Sequence, residues 1–472
     1  MVTFLQNLDN LSDTYVFHLN DTHPILAIPE LMRLLMDEND YNWDDAWKIT
    51  KKCIAYTNHT VLPEALERWP IHFMQRLIPR CYNIIEEINK RFMVELNDKG
   101  VDNNVKHNVS IIKDGQVHMA NLGVYAAYSV NGVAKIHSDI LKKVTFHDFY
   151  KLFPKKFNNK TNGVTHRRWL LNANPELAKL ITKKIGSDWI TDPMKLSDLR
   201  KFEKDTSTLN RLMKIKYENK VAFADFCKKN YNIEIDPNSI YDVQIKRLHA
   251  YKRQLLNVLH IMYLYYMIKE NPIVAKNFVP HTYIFGAKAA PSYYYAKKVI
   301  ELILSVAKVV NDDPVVSRYV KIVFVENYGV TLAEKIIPAA DVSEQISTAG
   351  YEASGTSNMK LMMNGAITLG TLDGANIEIA DLAGKDNNVI FGLKANEVAK
   401  MKADGSYNPW DLYMKDNMIH RVMDSLFNGP WSRDPNQFRA IFDEIMNKRD
   451  EYFIFKDFHA YVNAHQEIDE LY

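Results

Sequence analysis

Residues Tyr241 to Ile268 read YDVQIKRLHAYKRQLLNVLHIMYLYYMI, and the fold is decided here. The pattern predicts a short buried strand, Tyr241 to Ile245, leading into a helix that runs through Ile268. The same alternation continues downstream. His281 to Phe285 precedes a helix through Val310, Lys321 to Val325 precedes Thr331 to Ile337, and Ala366 to Leu369 and Asn388 to Phe391 read as two more buried strands. Strands separated by helices of this length argue for an α/β chain with a doubly wound parallel sheet. Sheets of that kind bind ligands at the carboxyl ends of their strands.

Working outward, the Asn-rich, basic stretch Lys155 to Gly163 is the candidate domain boundary, because a mainly helical first third ends there. That third holds one strand-like piece, Tyr15 to Leu19, and an apolar stripe of Ile84, Ile88, Phe92 and Leu96 before a Lys99-Gly100 stop. A stripe at i+4 spacing is core packing. The 472 residues correspond to about two to four domains at about 100–200 residues each. Hydrophobic (47%) and charged (25%) fractions are ordinary globular values and exclude a mostly disordered or coiled-coil chain. Glycine is the exception: 17 residues in all, about half the usual level of about 7%, with 8 of them between Gly329 and Gly392.

A net charge of +2 supplies no long-range field for nucleic acid or an anionic membrane, so any anion site must be local. The three cysteines, Cys53, Cys81 and Cys227, form neither a disulfide framework nor a zinc pattern and fit a reducing compartment. The N-terminus has no apolar h-region, and the run Gln254 to Ile268 is too short to span a bilayer. A cytoplasmic protein is expected.

Three constellations carry chemistry. The first is the basic cluster Lys246-Arg247-Leu248-His249-Ala250-Tyr251-Lys252-Arg253, where a strand gives way to a helix. Cations in a helix's first turn oppose its dipole, and a bound anion would reverse the sign; a solvated basic face is the alternative. The second is Gly350 to Lys360, GYEASGTSNMK. Its two glycines five apart imitate a P-loop, but Thr356 stands where that motif requires lysine, which excludes a nucleotide triphosphatase. Ser354, Thr356 and Ser357 can cap a short helix ending at Asn364-Gly365, whose N–H groups suit a phosphate. Lys360, among Met359, Leu361, Met362 and Met363, is either a desolvated amine able to form a Schiff base or a snorkelling surface lysine. The third is His18 to His23, HLNDTH, with Asp21 and the nearby His59 open to either metal binding, polyol binding or a structural role. Thr161-Asn162-Gly163 reads as a turn, with Asn162 shaping it or facing a ligand.

The stretches Asn20 to Pro24 (NDTHP), Tyr56 to Pro70 (YTNHTVLPEALERWP), Lys160 to Trp169 (KTNGVTHRRW), Lys246 to Asn257 (KRLHAYKRQLLN) and Glu352 to Glu378 (EASGTSNMKLMMNGAITLGTLDGANIE) closely resemble the α-glucan phosphorylases of glycogen and starch. The likeness is collinear and runs nearly end to end. It implies a GT-B architecture, two Rossmann-like domains facing a cleft, with the N-terminal one incomplete. Residues 1–160 match the C-terminal part of the N-terminal domain, and 161–472 the domain that binds pyridoxal 5'-phosphate.

By this resemblance Lys360 carries the cofactor as a Schiff base, Thr356, Ser357 and Gly355 hold its phosphate, and Trp169 and Tyr328 line its pocket. The resemblance implies that the cofactor's phosphate is the proton shuttle to inorganic phosphate, which protonates the glycosidic oxygen of the terminal α-1,4-glucan unit and then captures the glucosyl cation. Lys246, Arg247 and Lys252 are the implied catalytic cations. His59, Asn162, Glu352, Ser354 and Gly355, with Asp21 and Tyr251 nearby, are implied to hold the glucosyl ring. No carboxylate pair at glycosidase spacing and no metal is required.

The resemblance also marks departures. His166 stands where the family usually has proline, a change expected at the surface, and Ser357 replaces a glycine common in animal members. The chain is expected to begin inside the family's N-terminal domain and to end before its last helices, leaving a phosphate-closing loop, the effector site and much of the homodimer interface upstream. A truncated non-catalytic remnant is therefore the competing expectation, with a nucleotide-sugar glycosyltransferase disfavoured because Lys360 would have no purpose there.

Overall fold

The chain is described from a computed structural model over residues 8–472, apart from the side chains of Pro63, Val274 and Lys385. The first seven residues of the expected first domain therefore lie outside the described residues. Two compact units emerge: one of Met1–Asn162 with Tyr351–Ser354, the other of Gly163–Gly350 with Gly355–Tyr472.

The first unit is not helical around a single strand, as its sequence suggests. Its centre is a four-stranded parallel sheet in the order β1 (Phe17–Asn20), β2 (Ile54–Thr57), β6 (Ser129–Gly132), β7 (Phe157–Asn159). A second, antiparallel sheet joins β3 (Arg68–Pro70), β5 (Gln116–His118) and β4 (Ile112–Lys113). Strands of two to four residues, with sequences such as SVNG and FNN, are too short and too polar to show a period. The helix Pro79–Asp98 does bury Ile84, Ile88, Phe92 and Leu96, all at 1% exposure or less.

The second unit is built on a six-stranded parallel sheet, β10 (Val320–Val325), β9 (His281–Gly286), β8 (Ile240–Ile245), β11 (Val342–Gln345), β12 (Ile367–Gly370), β13 (Asn388–Ile390). All six residues of β8 and of β9 are buried. Alternate side chains serve two different cores: Ile240, Tyr283, Phe285 and Ile322 pack with the helices Gln254–Glu270 and Tyr294–Asp312, while Tyr241, Val243, Ile245, Ile284 and Val323 pack with Trp169, Phe223 and Leu361. Coverage of both faces is what a doubly wound sheet requires. The predicted strands are recovered within one or two residues, and β11 is additional. No helix among the described residues is long and apolar enough to cross a membrane.

One buried ion pair ties this unit together. Arg253 is fully buried, donating from Nε to the carbonyl of Ile346 and from Nη1 to Asp457 Oδ2, both at 2.6 Å. Asp457, on the helix Ile454–Leu471, also accepts the Leu393 N–H at 3.0 Å. Asp457→Ala strands a charge in the core, so the unit should lose about 3–5 kcal/mol in urea unfolding. Arg421→Ala, which breaks the exposed pair with Glu270, should cost under about 1 kcal/mol in the same assay.

Candidate active site

In the second unit the chain leaves β8 for β9 and β10 on one side and returns to β11, β12 and β13 on the other. Adjacent strands whose continuations diverge mark the point where doubly wound sheets bind ligands, at the carboxyl ends. The predicted residues of this unit collect at that edge. Lys246 follows β8 directly, is buried, and donates from Nζ to Oε1 of Gln345, the last residue of β11, at 2.6 Å. Gln345 Nε2 in turn donates to Ser343 Oγ at 2.9 Å and to Ser357 Oγ at 3.2 Å. A polar relay therefore runs from Lys246 to the first residue of the helix Ser357–Met363.

Lys360 sits one turn into that helix. It is half-buried, and its Nζ lies 4.2 Å from the centroid of the Trp169 ring. Burial, and then the Arg168 guanidinium, hold its ammonium below the ordinary lysine range. Asn364 at the helix end donates from Nδ2 to the carbonyls of Trp169 (2.7 Å) and Lys360 (2.9 Å), which fixes the lysine's helix against the Trp169 segment, Arg167–Asn172. Tyr328, beyond β10, has its phenol pushed up to about 12 by burial. Its ring lies over Gly286, the last residue of β9, where a Cβ would come 3.1 Å from Tyr328 Cδ2 and 2.9 Å from Ile245 Cγ2. Gly355, ahead of the helix, has φ +76°, a conformation that glycine adopts without strain.

Several local expectations change. The cations are not in a helix's first turn: a tight turn, Ala250–Lys252, and a left-handed Arg253 (φ +55°) precede the helix, which starts at Gln254. The dipole penalty is avoided by geometry, and Arg253 belongs to the core. Arg247 is exposed, while Lys252 is half-buried with its Nζ 4.7 Å from the Tyr251 ring centroid. Thr356 occupies the N-cap position, but its side chain makes no capping hydrogen bond. His166 is not at the surface: it is buried, and its Nε2 donates to the Ile190 carbonyl at 2.9 Å. Gln345 was not foreseen at all, since a glutamine in the polar tetrapeptide VSEQ carries no sequence signal.

In the first unit the predicted residues stand at the carboxyl ends of β1, β2 and β7. Asp21 follows β1 with φ +69°, its N–H donating to the Thr57 carbonyl (2.9 Å) and its Oδ1 accepting the Thr22 N–H (2.8 Å). His59, two residues beyond β2, donates from Nε2 to Asn20 Oδ1 at 2.5 Å, and burial lowers its pKa, favouring the neutral ring. Asn162 lies in irregular chain beyond β7, not in a turn, and its N–H donates to the Val133 carbonyl at 2.9 Å. Glu352 is half-buried and Ser354 is buried. His18 and His23 take separate partners, Thr57 and Glu67, which leaves the metal reading of that motif without support.

The family model described as carbohydrate phosphorylase matches residues 2–472. The glycogen phosphorylase of Bacillus subtilis (strain 168) is 52% identical over 468 residues, covering 99% of this chain and 58% of that protein. The muscle form of glycogen phosphorylase from Bos taurus is 48% identical over 472 residues (99% and 56%), and the brain form from the same animal 47% over 473 residues (99% and 55%). The chain belongs to the carbohydrate phosphorylase family, and its α/β fold with parallel sheets is of the GT-B type. It spans little more than half the length of these relatives.

The second unit sets a half-buried lysine with a disfavoured ammonium against an aromatic face and Tyr328 over a strand-end glycine, residues that could hold a cofactor such as pyridoxal phosphate. Gly286→Ala forces a methyl into Ile245 and Tyr328 and should cost about 1–3 kcal/mol by overpacking, with weaker uptake of added pyridoxal phosphate. Gly163→Ala, where a Cβ meets nothing within 4 Å, should leave both unfolding and uptake unchanged.

Proposed function

We propose that this chain carries the catalytic machinery of an α-1,4-glucan phosphorylase, a glycosyltransferase that moves terminal glucosyl units of a glycogen-like polymer to inorganic phosphate and releases glucose 1-phosphate. The carrying observation is Lys360, half-buried beside Trp169 with its ammonium disfavoured, on the helix that the Lys246–Gln345–Ser357 relay reaches. The names and identities of the relatives support the same reading. The cytoplasmic location and homodimer expected for the full-length family belong to it as well.

When bound, pyridoxal 5'-phosphate supplies a phosphate able to give and take a proton beside the inorganic phosphate. The chain's own residues do the rest. Lys360 anchors the cofactor, with Trp169 and Tyr328 holding its ring away from water. The Gly355-Thr356-Ser357 segment receives its phosphate, where oriented N–H groups favour an anion. Lys246 brings a positive charge to phosphate, and Gln345, which accepts one of its three N–H groups, sets the direction of that ammonium. Arg247 and Lys252 add positive charge that holds the incoming phosphate while it gives a proton to the glycosidic oxygen and takes up the glucosyl unit. His59, Asn162, Glu352, Ser354, Gly355, Asp21 and Tyr251 hold the glucosyl unit by hydrogen bonds to its hydroxyls.

Borohydride reduction of the protein in the presence of stoichiometric pyridoxal phosphate should place the pyridoxyl group chiefly on Lys360 by peptide mapping; labelling that spares Lys360 while other lysines react overturns the assignment. Because the ammonium of Lys360 is disfavoured, its labelling should be half-maximal at a lower pH than that of exposed lysines, whose pKa is about 10.4. Lys246→Met should retain cofactor labelling yet lower the rate of glycogen phosphorolysis by about 10²–10³-fold, the usual cost of one transition-state donor.

A further inference from the structure

A second group of chemically able side chains lies midway along the sheet of the second unit, not at its carboxyl edge. Asp242 is the third residue of β8, His281 the first of β9, and Glu344 the third of β11. The register pairs Asp242 with Tyr283 and with Val342, so Asp242, His281 and Glu344 point to one face. The helix Ile454–Leu471 contributes His465 and Asp469, four residues apart and hence on one side of it. Asp242, His281, Glu344 and His465 are all at most 4% exposed.

The polar atoms of this group are poorly satisfied for so buried a place. Among the described residues, neither nitrogen of His465 and not Nδ1 of His281 has a hydrogen-bond partner, and the Asp242 carboxyl has only that of Glu344 to bond with. Each histidine nevertheless has a carboxylate on its other side. His281 Nε2 donates to Asp469 Oδ1 at 2.6 Å, and His465 Nε2 lies 3.4 Å from Glu344 Oε1, which also accepts from the Tyr461 hydroxyl at 3.0 Å. His465 Nδ1 lies 4.0 Å from Asp242 Oδ2. One donor atom from each of Asp242, His281 and His465 falls within 4.8 Å of the other two.

Leaving buried polar atoms unpaired costs about 1–3 kcal/mol each, so a cluster of them calls for an occupant. We propose that Asp242, His281 and His465 bind a divalent transition-metal cation of the zinc class, with Asp469 and Glu344 as the outer carboxylates that orient the two imidazoles. Two imidazoles and a carboxylate are an ordinary donor set for such an ion, and a carboxylate behind each histidine fixes which nitrogen faces it. At metal–donor lengths of about 2.0–2.1 Å, a tetrahedral ion holds its donors about 3.3–3.4 Å apart, so shifts of about 1–1.5 Å close the set. A cavity of about 380 Å³, lined by His260, His281, Tyr283, His465, Gln466 and Asp469 among others, gives the ion a route and room for a water ligand. The ion would pin the helix Ile454–Leu471 to β8 and β9. This is a structural role, independent of the phosphorylase reading.

The test uses the tag-free chain, stripped with a chelator and then titrated with Zn²⁺ and, separately, Co²⁺. Expected are one ion retained per chain by elemental analysis, visible d–d bands of Co²⁺ without thiolate charge transfer, and a raised Tm with Zn²⁺. His281→Gln and His465→Gln should each abolish stoichiometric retention. Asp469→Asn, at a partly exposed outer position, should remain folded and weaken binding by about 10–100-fold. No retention and no Co²⁺ bands in the unaltered protein would overturn the proposal in favour of a proton shared between Asp242 and Glu344. Retention undiminished in the His281→Gln/His465→Gln double variant would overturn it in favour of another site.

Discussion

The second unit depends on one topological constraint: β8 and β11 are hydrogen-bonded neighbours whose continuations run in opposite directions. Nothing in the sheet itself can fill the space this leaves at their carboxyl ends. The chain bridges it with side chains, through the Lys246–Gln345 hydrogen bond above and the reach of Arg253 to the Ile346 carbonyl behind. The chemistry is concentrated where the backbone ladder stops, because only there can donors be aimed outward and not into a neighbouring strand.

Holding polar groups at such a place requires a stiff surround. Arg253 and Asp457 join the segments after β8, β11 and β13, while Lys220, almost fully buried, donates to Asp341 Oδ2 (2.6 Å) and the Ser239 carbonyl (2.8 Å) at the opposite ends of the strands. Breaking either pair is costly because each leaves an uncompensated charge in a low-dielectric interior. The result is a sheet clamped at both ends, so Lys246 and the Lys360 helix start from fixed positions. Preorganisation of this kind is what lets donors stabilise developing charge without first rearranging.

Legibility in the sequence followed burial chemistry. The strands β8, β9 and β10 were read directly, since continuous β-branched and aromatic runs signal a sheet covered on both faces. The strand β11 was missed because Ser343, Glu344 and Gln345 are buried polar residues, which the hydrophobic pattern cannot distinguish from a loop. The short β2, β6 and β7 gave no period to detect. Lys360 stood out from its apolar neighbours and Trp169 and Tyr328 came through family resemblance, whereas the residue that connects Lys246 to the Lys360 helix, Gln345, was invisible for the same reason as its strand. Arg253 shows the converse: a residue in a basic cluster that looked solvated or anion-binding is a core ion pair.

The central place of β8 also has a consequence for how the chain is made. Tyr241 and Asp341 are partners 100 residues apart, so on the ribosome β8 emerges long before β11 exists to cover its edge. At about 5–20 residues per second that edge stays open for about 5–20 s. A strand of the sequence IYDVQI is an attractive template for unwanted pairing during that time. Asp242, placed in its middle, puts a negative charge on the nascent strand while water still solvates it, so a carboxylate that is costly to bury in the closed sheet discourages aggregation beforehand.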